Sequence, residues 1–226
     1  GGAEKCHRLV EEFGFDAVWV SDRVVVPRDF SLDAEHAALS RLADRQDADP
    51  MVALAYVAGQ TKHVSLGTSI MVLPLRNPLV TAKMLATLDV LSGGRVILGA
   101  GIGWVPEEFE ALAAPDYAQR GHVADEWIQI LRACWSDAHP TYDGDHYQFK
   151  PVYFSPQPVR PIPIWIGGNS PPALRRAGRL GDGWLGSRVA LADIPLALAR
   201  IKEAAEAAGR DPAKLTFAVG LEVDII

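Results

Sequence analysis

The sequence predicts an α/β fold in which helices wrap a parallel β-sheet, and two observations support this. Apolar runs of strand length alternate with amphipathic runs of helix length along the 226 residues, a pattern typical of parallel strands joined by helices. The strand segments are also apolar at nearly every position, as expected where both faces of a sheet are buried. The pattern alone leaves two architectures open, an open doubly wound sheet and a closed (β/α)8 barrel.

The predicted elements follow one another in a regular order. A helix over EKCHRLVEEF ends at Gly14 and leads into the strand FDAVWVSD. The later strands are HVSLGTSIMV (63–72), RVILGAGIG (95–103), PIPIWIGG, DGWLGS and LTFAVGLEVDII (215–226). The later helices are NPLVTAKMLATLDVLS (77–92), EEFEAL, HVADEWIQILRACW (122–135), PPALRRAGRLG and DIPLALARIKEAAEAAG (193–209). A closed barrel would need two strands more than these.

Two segments break the alternation, and we interpret them as insertion loops in a single domain over residues 1–226. Residues 24–50 are polar and directly follow the first strand. Residues 136–163 contain the aromatic-rich segment Tyr142–Phe149, whose central Asp-Gly predicts a β-hairpin, and then a proline-rich linker. Because the loops at the carboxyl ends of strands carry function in α/β folds, we expect both segments to cover a pocket there.

The composition argues against several classes of function. A net charge of -6 is not that of a nucleic-acid-binding domain. No apolar run reaches the roughly 18 residues that span a bilayer, and no basic-then-apolar signal segment opens the chain, so we expect a cytoplasmic protein without membrane contact. The histidines and cysteines show no metal-ligand spacing, which predicts no metal site. We expect Cys6 and Cys134 to be buried thiols rather than a disulfide.

The strongest signal for a binding site is the stretch IGGNSPP. Gly167 and Gly168 leave the main chain bare at the end of a strand. Asn169 or Ser170 can cap a helix whose first residue is Pro171. Because main-chain N–H groups at a helix start favour an anion, the turn is a candidate phosphate site. A tight turn that binds nothing would explain the same residues.

Two other strand ends carry candidate residues. The segment RVILGAGIGW places Gly101 and Gly103 in a spacing that differs from the dinucleotide fingerprint GxGxxG. We expect these glycines to make room for a flat ring rather than only to relieve crowding in the sheet. Trp104 follows directly and could wall a pocket for an apolar substrate. Asp22 and Arg23 follow the first strand. The carboxylate could serve as a base, orient another group or accept a hydrogen bond from a cofactor, or the two residues could form an exposed ion pair of little consequence.

Taken together and in order, these stretches resemble the bacterial luciferase-like flavin and deazaflavin oxidoreductases. The resemblance covers nearly the whole chain and rests on FGFDAVWVSD, VSLGTSIMVLPLRNPLVTAKMLATLDVLSGGRVILGAGIGW, EEFEAL with YAQRGHVADEWIQILRACW, and PIWIGGNSPPALRRAGRLGDGW. It implies a (β/α)8 TIM barrel of the luciferase-like type, usually dimeric, of which this chain lacks the first strand and the C-terminal strand. The subgroup looks like the members that use coenzyme F420.

The resemblance also implies cofactor-binding roles at the strand ends. Ser69 and Ile70 match a cis peptide behind the cofactor ring, Asp22 matches an acidic residue near the ring, and the turn before the PPALRR helix matches a phosphate-holding turn. The full set of matched positions is Asp22, Ser69, Ile70, Gly101, Gly103, Gly167, Gly168, Asn169, Ser170, Gly183 and Trp184.

Two positions depart from the family members that oxidise sugar phosphates. Those relatives carry a histidine where this chain has Arg23 and a glutamate where it has Trp104. Arginine is a poor proton shuttle because a guanidinium keeps its proton near neutral pH, so we expect a different organic substrate. In the expected reaction a hydride passes between F420 and that substrate, with Arg23 stabilising developing negative charge and Glu107 as a candidate proton donor.

Two alternatives to an F420-dependent oxidoreductase stay open. One is an FMN-dependent luciferase-like monooxygenase. The other is a non-catalytic family member that serves as a dimeric structural partner, which the absent strand and the lack of an obvious acid–base pair favour. For the enzyme we expect a homodimer that binds a small molecule, without nucleic-acid or membrane partners and without a metal.

Overall fold

The computed structural model describes residues 9–27 and 48–221. Its strands are β1 (Ala17–Val20), β2 (Ser65–Thr68), β3 (Met71–Val72), β4 (Val96–Gly101), β5 (Tyr142–Asp143), β6 (Gln148–Phe149), β7 (Ile164–Gly167), β8 (Gly183–Ser187) and β9 (Thr216–Gly220). Its α-helices are α1 (Pro50–Gln60), α2 (Pro78–Ser92), α3 (Pro106–Ala111), α4 (Arg120–Ser136), α5 (Pro171–Leu180) and α6 (Ile194–Ala207).

Within the described residues, seven strands form one parallel sheet in the order β1-β2-β4-β7-β8-β9, with β3 beside the end of β4. A flat sheet would hold β1 and β7 roughly 14 Å apart. The ring centroids of Trp19 on β1 and Trp165 on β7 nevertheless lie only 5.3 Å apart. Both side chains therefore point into the hollow of a curled sheet. This curled parallel sheet confirms the predicted barrel-type architecture, with β1 and β9 as the edges of its described part.

The helices and the sheet share one hydrophobic core. Leu66 and Leu98 on the strands are fully buried, as are Leu85 on α2, Leu131 on α4 and Ile201 on α6. Burial of each such side chain contributes roughly 1.5–3 kcal/mol to stability. Neighbouring helices also pack on one another, α1 on α2, α2 on α4 and α5 on α6. The packed helices thus hold the strand ends that carry the candidate residues in place.

The sequence prediction missed helix α1 and treated the segment 63–72 as one strand. Asp49 caps α1, its carboxylate accepting from the N–H groups of Met51 and Val52 at 2.9 and 3.2 Å. The helix is uniformly apolar rather than amphipathic, so periodicity did not identify it. The segment 63–72 is divided into β2 and β3, and the peptide between Ser69 and Ile70 is cis, as the resemblance implied.

The hairpin predicted at Tyr142–Phe149 is confirmed, with β5 and β6 as its strands. Its residues line neither of the two cavities found among the described residues, which corrects the expectation that it covers the pocket at the strand ends. The Glu126 carboxylate on α4 accepts main-chain N–H groups from residues 145–147 at 2.9–3.1 Å, and Tyr147 Oη accepts from Asn77 Nδ2 at 3.0 Å. The hairpin is thus seated on α4 and the start of α2. Of the predicted loop 24–50, positions 28–47 lie outside the described residues.

Cys134 is a buried free thiol on α4, and burial raises its pKa to about 11. Cys6 lies outside the described residues. None of the helices in residues 9–27 and 48–221 is both long enough and apolar enough to cross a membrane. In the same ranges, no cluster of three or more histidine, cysteine or acidic side chains is placed to hold a metal ion.

Candidate functional site

A cavity of about 500 Å³ opens at the carboxyl ends of β1, β2, β4 and β7. Its walls are largely apolar, with Ile70, Leu73, Ile128 and Ile166 among them. Its volume lies within the range of about 300–1,000 Å³ that is usual for small-molecule sites. Binding sites of parallel α/β folds form at this end of the strands.

Most of the candidate residues meet at this cavity, although they are far apart in the sequence. The lining includes Asp22, Arg23, Ser69, Ile70, Gly101, Gly103, Trp104, Gly167, Gly168, Asn169 and Ser170. The candidates Glu107, Gly183 and Trp184 are not part of the lining that the described residues form.

The turn after β7 has the geometry of a small anion site. Gly168 has a φ of +100°, a left-handed conformation that glycine adopts without strain. Asn169 and Ser170 are exposed, and their main-chain N–H groups have no acceptor in the described part of the chain. Asn169 Nδ2 donates to Ser187 O at 2.6 Å, which ties the turn to the end of β8. The turn therefore places two main-chain donors, without an acceptor among the described residues, on residues that line the cavity.

The start of α5 itself offers fewer donors than the sequence suggested. Pro171 and Pro172 occupy its first two positions and have no N–H. The N–H of the third residue, Ala173, donates to the capping oxygen Ser170 Oγ at 3.4 Å. An anion at this turn would therefore bind to the N–H groups that precede the helix.

The described cavity lining does not include Trp184 and Gly183, which pack inside the protein next to the turn. Trp184 is fully buried, and its Nε1–H donates to Gly168 O at 2.9 Å. A Cβ on Gly183 would lie 2.8 Å from Trp165 Cδ1 and 2.6 Å from Thr216 O. The expectation that these two residues touch a cofactor is corrected, because packing within the protein accounts for both.

The glycines at and just after the end of β4 pack closely against neighbouring side chains. A Cβ on Gly101 would overlap Ile70 Cδ1, and a Cβ on Gly103 would lie 2.9 Å from Val72 Cγ1. Gly167 on β7 is similar, since its Cβ would lie 2.7 Å from Ile70 Cγ2. Gly101 and Gly167 make room for the side chain of Ile70, which forms part of the cavity wall, and Gly103 makes room for Val72 and Phe109. Contact between these glycines and a ring stays a prediction.

Asp22 is a buried, fully engaged carboxylate. It accepts two hydrogen bonds from Arg76, at 2.7 and 3.1 Å, and one from the main-chain N–H of Val72 at 3.0 Å. Arg76 also reaches Asp49 at 2.9 Å. This arrangement shows that the exposed ion pair with Arg23 was wrong, because Asp22 is buried and paired with Arg76. Contact between Asp22 and a cofactor stays a prediction. The geometry of Asp22 is that of a positioning residue that fixes β3 and the start of α1.

Arg23 is paired with a residue that the sequence reasoning missed. Arg23 Nη1 lies 2.5 Å from Glu108 Oε1, and its guanidinium lies 5.8 Å from the centre of the Trp104 ring. Glu108 is 1% exposed. Burial raises the pKa of Glu108, and the ion pair with Arg23 offsets only part of that rise. The pair holds Arg23 at the cavity beside Trp104.

Glu107 does not support its expected role as a proton donor. It lies outside the described cavity lining, and its Oε2 is buried without a hydrogen-bond partner among the described residues. The adjacent Glu108 is the carboxylate that contacts a cavity residue. Sequence reasoning could not choose between the two neighbouring glutamates, since the choice depends on which face of α3 is buried.

Two arginines of the cavity were also missed. Arg120 begins α4, and Arg176 lies on α5, where it is 7% exposed. Both line the cavity near the turn at Asn169 and Ser170. In the sequence they resemble ordinary helix surface residues. The pairing of Arg176 with Asp125 on α4 shows that it is instead held between two helices.

The chain is similar to a known protein family and to several of its members. Residues 2–225 match the family described as luciferase-like monooxygenase. The F420-dependent glucose-6-phosphate dehydrogenase of Kineococcus radiotolerans is 31% identical over 218 residues, which cover 94% of this chain and 60% of that protein. The enzyme of the same name from Amycolatopsis mediterranei is 33% identical over 204 residues, covering 88% and 57%.

Among solved structures, an F420-dependent secondary alcohol dehydrogenase in complex with an F420–acetone adduct superposes with a TM-score of 0.82 at 25% identity. The match covers 96% of this chain and 63% of that one. The chain thus spans less than two thirds of the length of the relatives named here.

Proposed function

The chain belongs to the luciferase-like monooxygenase family, and from this premise we propose that it is an oxidoreductase that binds coenzyme F420 in the cavity at the strand ends. In the proposed reaction a hydride passes between this cofactor and a small organic substrate. The observation that carries the proposal is one cavity that combines apolar walls, the free N–H groups of Asn169 and Ser170, and the guanidinium groups of Arg120 and Arg176. The relatives named for F420 support the same cofactor.

The residues present fit a flat ring with an anionic end. Ile70 lines the cavity, is half-buried and offers an apolar surface of the kind that a ring system covers. The N–H groups of Asn169 and Ser170 fit a phosphate, because hydrogen bonds to a charged acceptor are stronger than neutral ones. A bound deazaflavin supplies two-electron hydride chemistry, and the protein supplies binding, orientation and exclusion of water.

The substrate is proposed to lie beside Trp104 and Arg23, on the side of the cavity away from the turn. Glu108 fixes the Arg23 guanidinium, which can then donate hydrogen bonds to an oxygen that gains negative charge. Trp104 carries no acid–base group, and the Arg23 guanidinium is held in its ion pair with Glu108. We therefore propose a substrate other than glucose 6-phosphate, although two relatives are named for it.

The experiment is a fluorescence titration of the purified protein with F420 and, separately, with FMN. We expect F420 to bind more tightly than FMN. Two variants of Ser170 isolate the main-chain donor, because the φ of -68° at this position suits proline. Ser170→Ala removes the hydroxyl but keeps the N–H, whereas Ser170→Pro removes both.

Loss of an N–H bonded to a charged group costs about 1.5–3 kcal/mol, so Ser170→Pro should bind F420 at least roughly tenfold more weakly than Ser170→Ala. Equal binding of F420 by the two variants would show that the N–H of Ser170 does not bind the cofactor. Tight FMN binding without F420 binding would favour the flavin monooxygenase alternative and refute the proposal. Addition of glucose 6-phosphate to the F420 complex should leave the cofactor's absorbance unchanged.

A further inference from the structure

A second cavity of about 380 Å³ adjoins the first, and its lining is strongly basic. Four arginines line it, two at the boundary with the first cavity and two farther along α5, and Asp125 is the only carboxylate among its described lining residues. The four are Arg120, Arg175, Arg176 and Arg179. The chain as a whole has a net charge of -6. So dense a positive cluster in an acidic protein favours a ligand with several negative charges.

The two boundary arginines are held in place by the protein. Arg176 is nearly buried, with its Nε bonded to Asp125 and its Nη2 donating to Gly121 O at 2.9 Å. The Arg120 guanidinium lies 3.8 Å from the centre of the Tyr117 ring, and its Nη1 donates to Tyr117 O at 2.9 Å. Each guanidinium carries five N–H donors. Arg120 Nη2 and Arg176 Nη1 have no acceptor in the described chain, so both arginines keep donors for a ligand.

The second cavity continues the first on the side of the turn after β7. Ile102, Arg120 and Arg176 line both cavities. At the start of α5, Ser170 lines the first cavity and Pro172 lines the second. A ligand whose phosphate lies at the turn would therefore extend past the helix start into the basic cavity.

We propose that the second cavity binds the carboxylate tail of the cofactor whose ring occupies the first. This inference rests on the proposed function. Coenzyme F420 continues beyond its phosphodiester into a chain of glutamate residues, and each adds a carboxylate that a guanidinium can bind through two hydrogen bonds. FMN ends at its phosphate and has no group for this cavity. The arginine cluster thus favours the deazaflavin over the flavin.

The test compares three deazaflavins that share the ring. The first ends at the ribityl chain, the second adds the phosphodiester without glutamate, and the third carries several glutamates. Each is titrated into the wild-type chain and into Arg175→Gln/Arg179→Gln, which alters the two exposed arginines of the second cavity. The control is Arg200→Gln/Lys202→Gln, which removes the same two charges from exposed positions on α6 outside both cavities.

We expect the wild-type chain and the control to bind the glutamate-bearing deazaflavin more tightly than the phosphodiester form. The arginine variant should lose roughly three- to tenfold in affinity for the glutamate-bearing form only, since exposed charge pairs are individually weak. An equal loss for the phosphodiester form would assign the arginines to the phosphate and overturn the tail assignment. An unchanged affinity would overturn it too, while ring binding would leave the proposed function intact. No binding of any deazaflavin would refute both.

Discussion

Replacement of Trp184 by phenylalanine tests whether the turn after β7 depends on its hydrogen bond from behind. The fully buried indole donates from Nε1 to Gly168 O at 2.9 Å. Loss of that bond costs about 1 kcal/mol, and the smaller ring leaves a void that costs about 1 kcal/mol more. We therefore expect Trp184→Phe to lower the free energy of unfolding by about 2 kcal/mol.

The assay is urea unfolding of wild type and variant, followed by circular dichroism. With a slope of about 2 kcal/mol per molar urea, the midpoint should fall by about 1 M. Trp165→Phe is the matched control, because the Trp165 N–H has no acceptor among the described residues. If Trp184→Phe costs no more than Trp165→Phe, the hydrogen bond does not hold the turn and this reasoning is refuted.

Three further predictions concern titratable groups. Burial raises the pKa of Cys134 to about 11, so in a Cys6→Ser chain at pH 8 a thiol reagent should react rapidly only after unfolding in urea; fast reaction of the folded chain would contradict its burial. Hydrogen bonds from the main-chain N–H groups of residues 62–64, of which that of His63 has the largest effect, lower the pKa of Glu11. The contribution of Glu11 to stability is therefore present above about pH 4.5 and is lost as the pH falls. In urea unfolding, Glu11→Gln should destabilise the chain at pH 7 more than at pH 3. Burial raises the pKa of Glu108, so as the pH rises from about 4.5 through the raised pKa the folded state binds more protons than the unfolded state and stability falls. Glu108→Gln should reduce that fall in urea unfolding, and an unchanged pH profile would contradict it.

The sequence predicted the sheet and the turn because their signals are local. Strands such as RVILGAGIG are apolar throughout, and the turn at Asn169 and Ser170 combines glycines, a cap and prolines within a few residues. Helix α1 was missed because its residues are apolar on all sides, although Asp49 before Pro50 was a readable start signal.

The support of the site could not be predicted because it depends on contacts between distant residues. Arg23 and Glu108 are 85 positions apart, and Asp22 and Arg76 are 54 apart. Which carboxylate an arginine meets is decided by the curl of the sheet and by the buried face of each helix. The position of a residue at a strand end predicts that it lies near the cavity. It does not predict which residue it pairs with.

The reason for the glycines was also beyond sequence reasoning. A glycine at a strand end indicates close approach, but it does not say which group approaches. At Gly101 and Gly167 the group is the side chain of Ile70, a residue from a different strand end. Glycines that were interpreted as space for a cofactor are therefore explained in part by the packing of the cavity wall.

The central claim is that one cavity holds a flat ring against Ile70 and an anion at the N–H groups of Asn169 and Ser170. A crystal structure of this chain soaked with F420 tests it most directly. We expect phosphate oxygens about 3 Å from both main-chain nitrogens, as hydrogen bonds require, with the ring against Ile70. Density for the phosphate elsewhere, with both N–H groups bonded only to water, would contradict the account.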